Sequence, residues 1–123
     1  LFQQETGAVL WHCETGKDRT GLGTAFLLSL LGVEDRIIYE DYLRTNRYLA
    51  KDFLYMQRLL QTWPEADENM QRKLQTFYEV KEEYLRIVFE MIKLKYGSME
   101  KFFQEVFYLK PKMVEELRDK YLI

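Results

Sequence analysis

The sequence predicts a mainly α chain with one buried N-terminal strand, a polar loop and about six helices. Three observations predict it. Apolar residues recur near every 3.6 positions over most of the chain beyond residue 20. Only residues 7–12 are short, apolar and bounded by glycine in the manner of a buried strand. Between the two, residues 13–19 are polar or small with a glycine at their centre, which reads as a tight loop.

The elements follow in order. Gly7 to Trp11 (Gly-Ala-Val-Leu-Trp) is the strand-like run leading into His12. Arg19 or Thr20 to Leu31 is apolar nearly all round, which predicts a buried central helix, and Gly32 is placed to end it. Glu34 to Thr45 is amphipathic through Ile37, Ile38, Tyr42 and Leu43. Arg47 to Thr62 continues helical, with Leu49, Phe53, Met56, Leu59 and Leu60 forming a stripe. Trp63 to Asp67 is a loop, with Pro64 as the breaker. Glu68 to Phe77 reads as a polar helix or a partly ordered segment. Val80 to Tyr96 is a long amphipathic helix carrying Tyr84, Leu85, Val88, Met91, Ile92 and Leu94, and Gly97 stops it. Ser98 suits the N-cap of a helix to Phe107, and Pro111 the first turn of a last helix to about Lys120.

Composition bounds the function classes. In 123 residues, 47% are hydrophobic and 31% charged, an ordinary globular balance and not a disordered one. A net charge of −2 gives no global attraction for nucleic acid or an anionic membrane. No apolar run is long enough for stable membrane insertion. A single cysteine excludes an intrachain disulfide and fits a reducing, cytoplasmic setting, with secretion left open as an alternative. One His adjacent to one Cys is no metal set, and no cofactor is implied.

Residues 12–21 carry the chemistry: His-Cys-Glu-Thr-Gly-Lys-Asp-Arg-Thr-Gly. A cysteine and an arginine stand six positions apart in a loop that runs from a strand-like segment into a helix. Thiolate sulfur can attack phosphorus and divide a slow hydrolysis into two easier steps. A helix N-terminus lowers the thiol pKa, and its free N–H groups bind phosphoryl oxygens. Arg19 adds a planar, permanently charged fork of donors. Gly16 suits the tight loop, and Thr20 is placed to give its hydroxyl to the thiolate. Cys13, Arg19 and Asp18 are the candidate catalytic residues, Glu14, Thr15, Gly16, Lys17, Asp18 and Arg19 form the phosphate cradle, and His12, Thr20 and Gly21 support it. These residue types at these offsets arise by chance on the order of once in a million in a chain this long. A nucleotide-binding loop, G-x-x-x-x-G-K-[ST], fails twice, at Trp11 and at Asp18.

The segment resembles the H-C-x5-R-[ST] signature of cysteine-based protein phosphatases. Its Gly-Lys-Asp-Arg-Thr-Gly form is similar to the bacterial tyrosine phosphatases that include lipid-phosphatase-like members. Asp41 to Asn46 resembles the family's D-Y-L-x-[ST]-N segment, Tyr96 to Glu100 its Y-G-S-x-E segment, and Val114 to Leu122 its terminal helix. The resemblance implies the C-terminal part of an α/β cysteine-phosphatase fold: a single phosphatase domain spanning 1–123, with strand 7–12, phosphate loop 13–19, helical region 20–123 and an absent N-terminal half. It implies Cys13 as nucleophile and Arg19 with the loop backbone as phosphate ligands. Lys17 stands where lipid-acting relatives carry a second cation for inositol phosphates; the other reading is a solvated loop lysine. Asp18 has three readings: an orienting partner for Arg19, an acid/base, or a solvated charge.

The family's general acid lies upstream of the cysteine loop, and the only carboxylate before Cys13 is Glu5. Trp63-Pro64-Glu65 looks like an acid loop but lies on the wrong side of Cys13 and reads as a helix break. The implied function is hydrolysis of phosphotyrosine esters through a phosphocysteine. The alternatives are a phosphoinositide or broad phosphoester phosphatase, or a phosphate-binding fragment without turnover. Expected partners are a phosphotyrosine protein or phosphoinositide, with no nucleic acid, and self-association or pairing with the missing N-terminal half. Nine Tyr and eight Phe read as core packing more than as a lipid surface, and Arg44, Arg47 and Lys51 as a solvated face more than as a substrate frame.

Overall fold

The computed structural model describes residues 5–122, and Leu1 to Gln4 and Ile123 lie outside that description. Six helices follow one another: α1 (Arg19–Leu31), α2 (Asp35–Gln61), α3 (Glu68–Tyr78), α4 (Glu82–Tyr96), α5 (Met99–Phe107) and α6 (Pro111–Tyr121). Among the described residues there is no strand. Residues 7–12, read as a buried strand, are non-regular chain, and Leu10 is 88% exposed. The reason is physical: an extended segment needs a neighbouring strand to take its backbone hydrogen bonds, and the described residues supply none.

Local signals place most helix ends. Gly32 is left-handed at φ 85, and its N–H bonds back to Leu28 and Ser29. Gly97 closes α4 in the same way at φ 84, and the Ser98 hydroxyl caps α5 by accepting from Lys101 N–H at 3.1 Å. Pro111 opens α6. The helical reading over residues 34–45 and its continuation over 47–62 form one helix, α2. Neither Gly nor Pro interrupts that stretch, and Asn46 does not break it. Instead, the Asn46 side chain donates to Val80 O at 2.9 Å and accepts from Val80 N–H at 2.8 Å. This two-way clasp ties the middle of α2 to the segment entering α4.

Two joined clusters form the core. One gathers Ala25, Ile38, Tyr42, Val80, Leu85 and Phe89; the other Ile92, Phe102, Phe103 and Leu109. Phe26 of α1 bridges them, with its ring centroid 6.4 Å from Phe89, 5.4 Å from Phe102 and 5.9 Å from Phe103. So α1 is central, but of its residues only Ala25 is fully buried, and the helix is half-covered where complete burial was expected. The α4 stripe also divides. Leu85, Phe89 and Ile92 face the core, while Tyr84, Ile87, Met91 and Leu94 face outward. The accessible surface is 9514 Å², against about 7,000 Å² for a compact chain of this mass. The excess reflects an open arrangement in which α2 and α3 form a hairpin reaching past the core. No helix among the described residues is long and apolar enough to cross a membrane.

The Asn46 clasp is testable. Val80 is 1% exposed, so Asn46→Ala strands a buried N–H and C=O together. A loss of about 2–4 kcal/mol is expected, read as a lower denaturant midpoint with an unchanged slope.

Candidate active site

The loop is shaped by backbone before side chains. Gly16 sits at φ 73, and a Cβ there would meet nothing within 4 Å, so glycine is needed for conformation and not for space. The turn brings the N–H groups of Thr15, Gly16 and Thr20 toward the Cys13 sulfur. His12, exposed, has Nδ1 3.3 Å from the Cys13 carbonyl oxygen, to which it donates when that nitrogen carries the proton.

Helix α1 begins immediately after the loop. Its N-cap residue, Asp18, makes no side-chain capping bond, and the first turn contains no acidic residue. No carboxylate therefore caps the first N–H groups of α1, of which that of Thr20 turns to the Cys13 sulfur, and such an uncapped N-terminus is where a helix receives an anion. Arg19 is the first helical residue and is exposed beside them.

Cys13 is half-buried, and its thiol is held down from 9.0 to about 7. The Thr20 hydroxyl is the first cause, followed by the Thr20 N–H; burial works weakly against them, and the Gly16 and Thr15 N–H groups add to the lowering. Thr20 Oγ1 is buried and has no hydrogen-bond partner of ordinary geometry among the described residues. The hydroxyl facing the sulfur is thus uncommitted elsewhere, and a thiolate is the acceptor that would satisfy it.

Lys17 is not a solvated loop residue. It is 6% exposed, and its Nζ donates to Asp18 Oδ1 at 2.9 Å. The ion pair that Asp18 makes is therefore with Lys17 and not with Arg19. Glu14 is exposed and Thr15 half-buried. Gly21 has a packing role: a Cβ there would come within 2.9 Å of Tyr42 Cε2. Gly23, two residues on, lies open to Trp11, whose Nε1 would be 3.8 Å from an added Cβ. Small residues in the first turns of α1 thus admit two rings that hold the loop's flanks.

Sequence reasoning missed Tyr42 as the neighbour of Gly21. The signal was present, since two glycines in an otherwise bulky helix imply close approach. It also missed Arg72, Lys73, Thr76 and Phe77 of α3, which share a cavity with Lys17 and carry no local signal for that placement. The face of Arg44, Arg47 and Lys51 is exposed, as a solvated face should be. Among the described residues no cluster of His, Cys, Asp and Glu could hold a metal ion.

Comparison with known proteins agrees with this geometry. A tyrosine-protein phosphatase of Nostoc commune is 48% identical over 49 residues, 40% of this chain and 17% of that protein. The triple specificity protein phosphatase PtpB of Mycobacterium tuberculosis is 31% identical over 100 residues, 74% of this chain and 36% of that protein. The chain thus spans little more than a third, at most, of these relatives' length. The description "tyrosine phosphatase family" matches residues 1–123. A cysteine loop at the head of α1 and a match over the whole sequence lead to one statement: the chain belongs to the tyrosine phosphatase family.

Proposed function

We propose that the chain carries the phosphoryl-transfer loop of a protein-tyrosine phosphatase that works through a phosphocysteine. The observation that carries this reading is the Cys13 thiol, held to about 7 by the Thr20 hydroxyl and loop N–H groups at the uncapped start of α1. At neutral pH a large fraction is thiolate, the attacking form. Its sulfur attacks phosphorus, the S–P bond forms, and the bond to the tyrosyl oxygen breaks. The loop N–H groups and Arg19 take the charge on the phosphoryl oxygens as it redistributes. Water then attacks phosphorus, the S–P bond breaks, and the Thr20 hydroxyl stabilises the departing thiolate. The relatives' names, a tyrosine-protein phosphatase and a triple specificity protein phosphatase, support a phosphotyrosine substrate.

Asp18 is assigned here a positioning role. Its carboxylate is engaged by Lys17 Nζ at 2.9 Å. The leaving oxygen takes its proton from another source, and the chemistry of an aryl oxide makes that help useful but not absolute.

Three outcomes test this. Turnover of para-nitrophenyl phosphate is expected to fall to background in Cys13→Ser, while Arg19→Lys, which loses the planar fork, should cost about 100-fold or more in kcat. Phosphate binding without turnover in the native chain would leave a capture loop and not an enzyme. Alkylation of Cys13 by iodoacetamide should rise with pH through a midpoint of about 7, because only the deprotonated form reacts and its pKa is lowered. Thr20→Val should move that midpoint upward, toward 9.0. For Asp18→Asn, phenyl phosphate and para-nitrophenyl phosphate should slow by a common factor. A much larger loss with phenyl phosphate, the poorer leaving group, would instead make Asp18 the acid.

A further inference from the structure

The sequence marks Arg44, Arg47 and Lys51 as a basic face of α2 that the Cys13 loop does not use, and the helix carries a finer pattern there. Arg44, Lys51 and Arg58 recur every seven residues. So do Tyr48 and Tyr55, and Asp52 and Leu59. With the tyrosines at the d positions of a heptad, Asp52 and Leu59 fall at a and the three cations at g. Such a layout offers a seam to a second helix, with charge along one edge to choose the partner. From Arg44 to Arg58 it covers about 21 Å of helix.

The fold leaves this seam bare. Inside the hairpin α2 uses a different stripe, the half-buried Leu49, Phe53, Met56 and Leu60, and the Phe53 ring meets Tyr78 of α3 at 6.3 Å. On the outer side Tyr48 is 78% exposed, Tyr55 64% and Leu59 42%. The cations are exposed too. Arg44 reaches Asp41 only at 4.0 Å, and Lys51 and Arg58 have no ion-pair partner among the described residues. Exposure is what any solvated face shows. A solvated face has no need of an aromatic line kept in heptad register beside its charges, whereas Tyr and Arg together are the side chains that protein interfaces favour.

We propose that this face of α2 docks an amphipathic helix of a partner protein, one that presents carboxylates to Arg44, Lys51 and Arg58 and an apolar line to Tyr48, Tyr55 and Leu59. Charge complementarity names the occupant. A second copy of α2 is the wrong partner: antiparallel pairing sets the g cations against each other, and parallel pairing sets them against Leu49 and Met56 at e. An anionic bilayer is disfavoured by Asp52, which stands in the seam between the two tyrosines and would be pressed against like charge. An extended peptide repeats every second residue and does not follow a seven-residue seam. Against a helix, Asp52 at an a position takes a hydrogen-bond donor from the partner and so fixes the register. The inference does not depend on the phosphoryl-transfer reading of the Cys13 loop.

Calorimetry tests this with a synthetic peptide of four heptads, leucine at a and d, one central asparagine at a to meet Asp52, and glutamate at e and g, whose mutual repulsion keeps it from pairing with itself. The native chain should bind it about tenfold tighter or more than a scrambled peptide of the same composition, and than the same peptide with lysine at e and g. Lys51→Gln with Arg58→Gln should weaken binding about tenfold, as should Tyr48→Ser with Tyr55→Ser, while the alkylation midpoint of Cys13 stays in place. All four side chains are exposed, so the fold is not at stake. Equal binding of the scrambled peptide would overturn the helix as occupant, and equal binding of the lysine peptide the charge complementarity. Undiminished binding to both variants, or no binding at all, would overturn the docking face. Phosphatidylserine vesicles that bind as tightly, and lose the chain in the same variants, would replace the partner helix with a membrane surface. Dimerisation of the native chain in sedimentation, abolished by the tyrosine variant, would replace it with a second copy.

Discussion

The Tyr42 ring lies against the bare Cα of Gly21, and much of the molecule's arrangement depends on that contact. It seats α2 on the first turn of α1, directly behind the loop that carries Cys13. With α2 so placed, the Asn46 clasp on Val80 fixes where α4 begins. The same helix then runs past the core and returns as α3 beside Lys17. A methyl group at position 21 would force the ring away and shift this chain of placements together, because packed interiors yield little to a clash of 2.9 Å.

The loop's electrostatics have a simple origin. No acidic side chain lies in the first turn of α1, and the one carboxylate at its threshold, Asp18, is occupied by Lys17. The positive end of the helix is thereby kept for an external anion or for the Cys13 thiolate. The buried Thr20 hydroxyl is the strongest single influence on that thiol, and among the described residues it is a buried side-chain donor without an ordinary partner. An unsatisfied group of this kind costs stability in the resting protein. Its location beside the sulfur indicates a group retained for the charged state.

Legibility followed range. The ends of α1, α4, α5 and α6 could be read because Gly32, Gly97, Ser98 and Pro111 act within a few residues. The cysteine loop drew a reading because phosphate chemistry asks for particular residue types at fixed spacing. Residues 7–12 form no strand among the described residues because apolar character reports affinity for burial, while a strand exists only with a partner. Helix α2 runs through Asn46, a weak helix former, and Val80 gives its amide a partner away from the helix. Lys17 was ambiguous because local sequence does not record what another helix will cover. Arg72 and Lys73 drew no reading, since their meeting with Lys17 depends on the length and turn of the α2–α3 hairpin.

One contact at the far end of α1 has a consequence for the near end. Arg118 of α6 donates through Nε to the Leu30 carbonyl at 2.9 Å, so a cation from the last helix closes the carbonyl terminus of α1. The 13 residues of α1 separate that terminus from Cys13 by about 20 Å, more than twice the screening distance of about 8 Å in physiological salt. The two ends are therefore electrically insulated from each other. One is spent on holding the fold and the other is left for reactivity, so sequence drift on α6 can alter how firmly the helix is anchored without retuning the thiol.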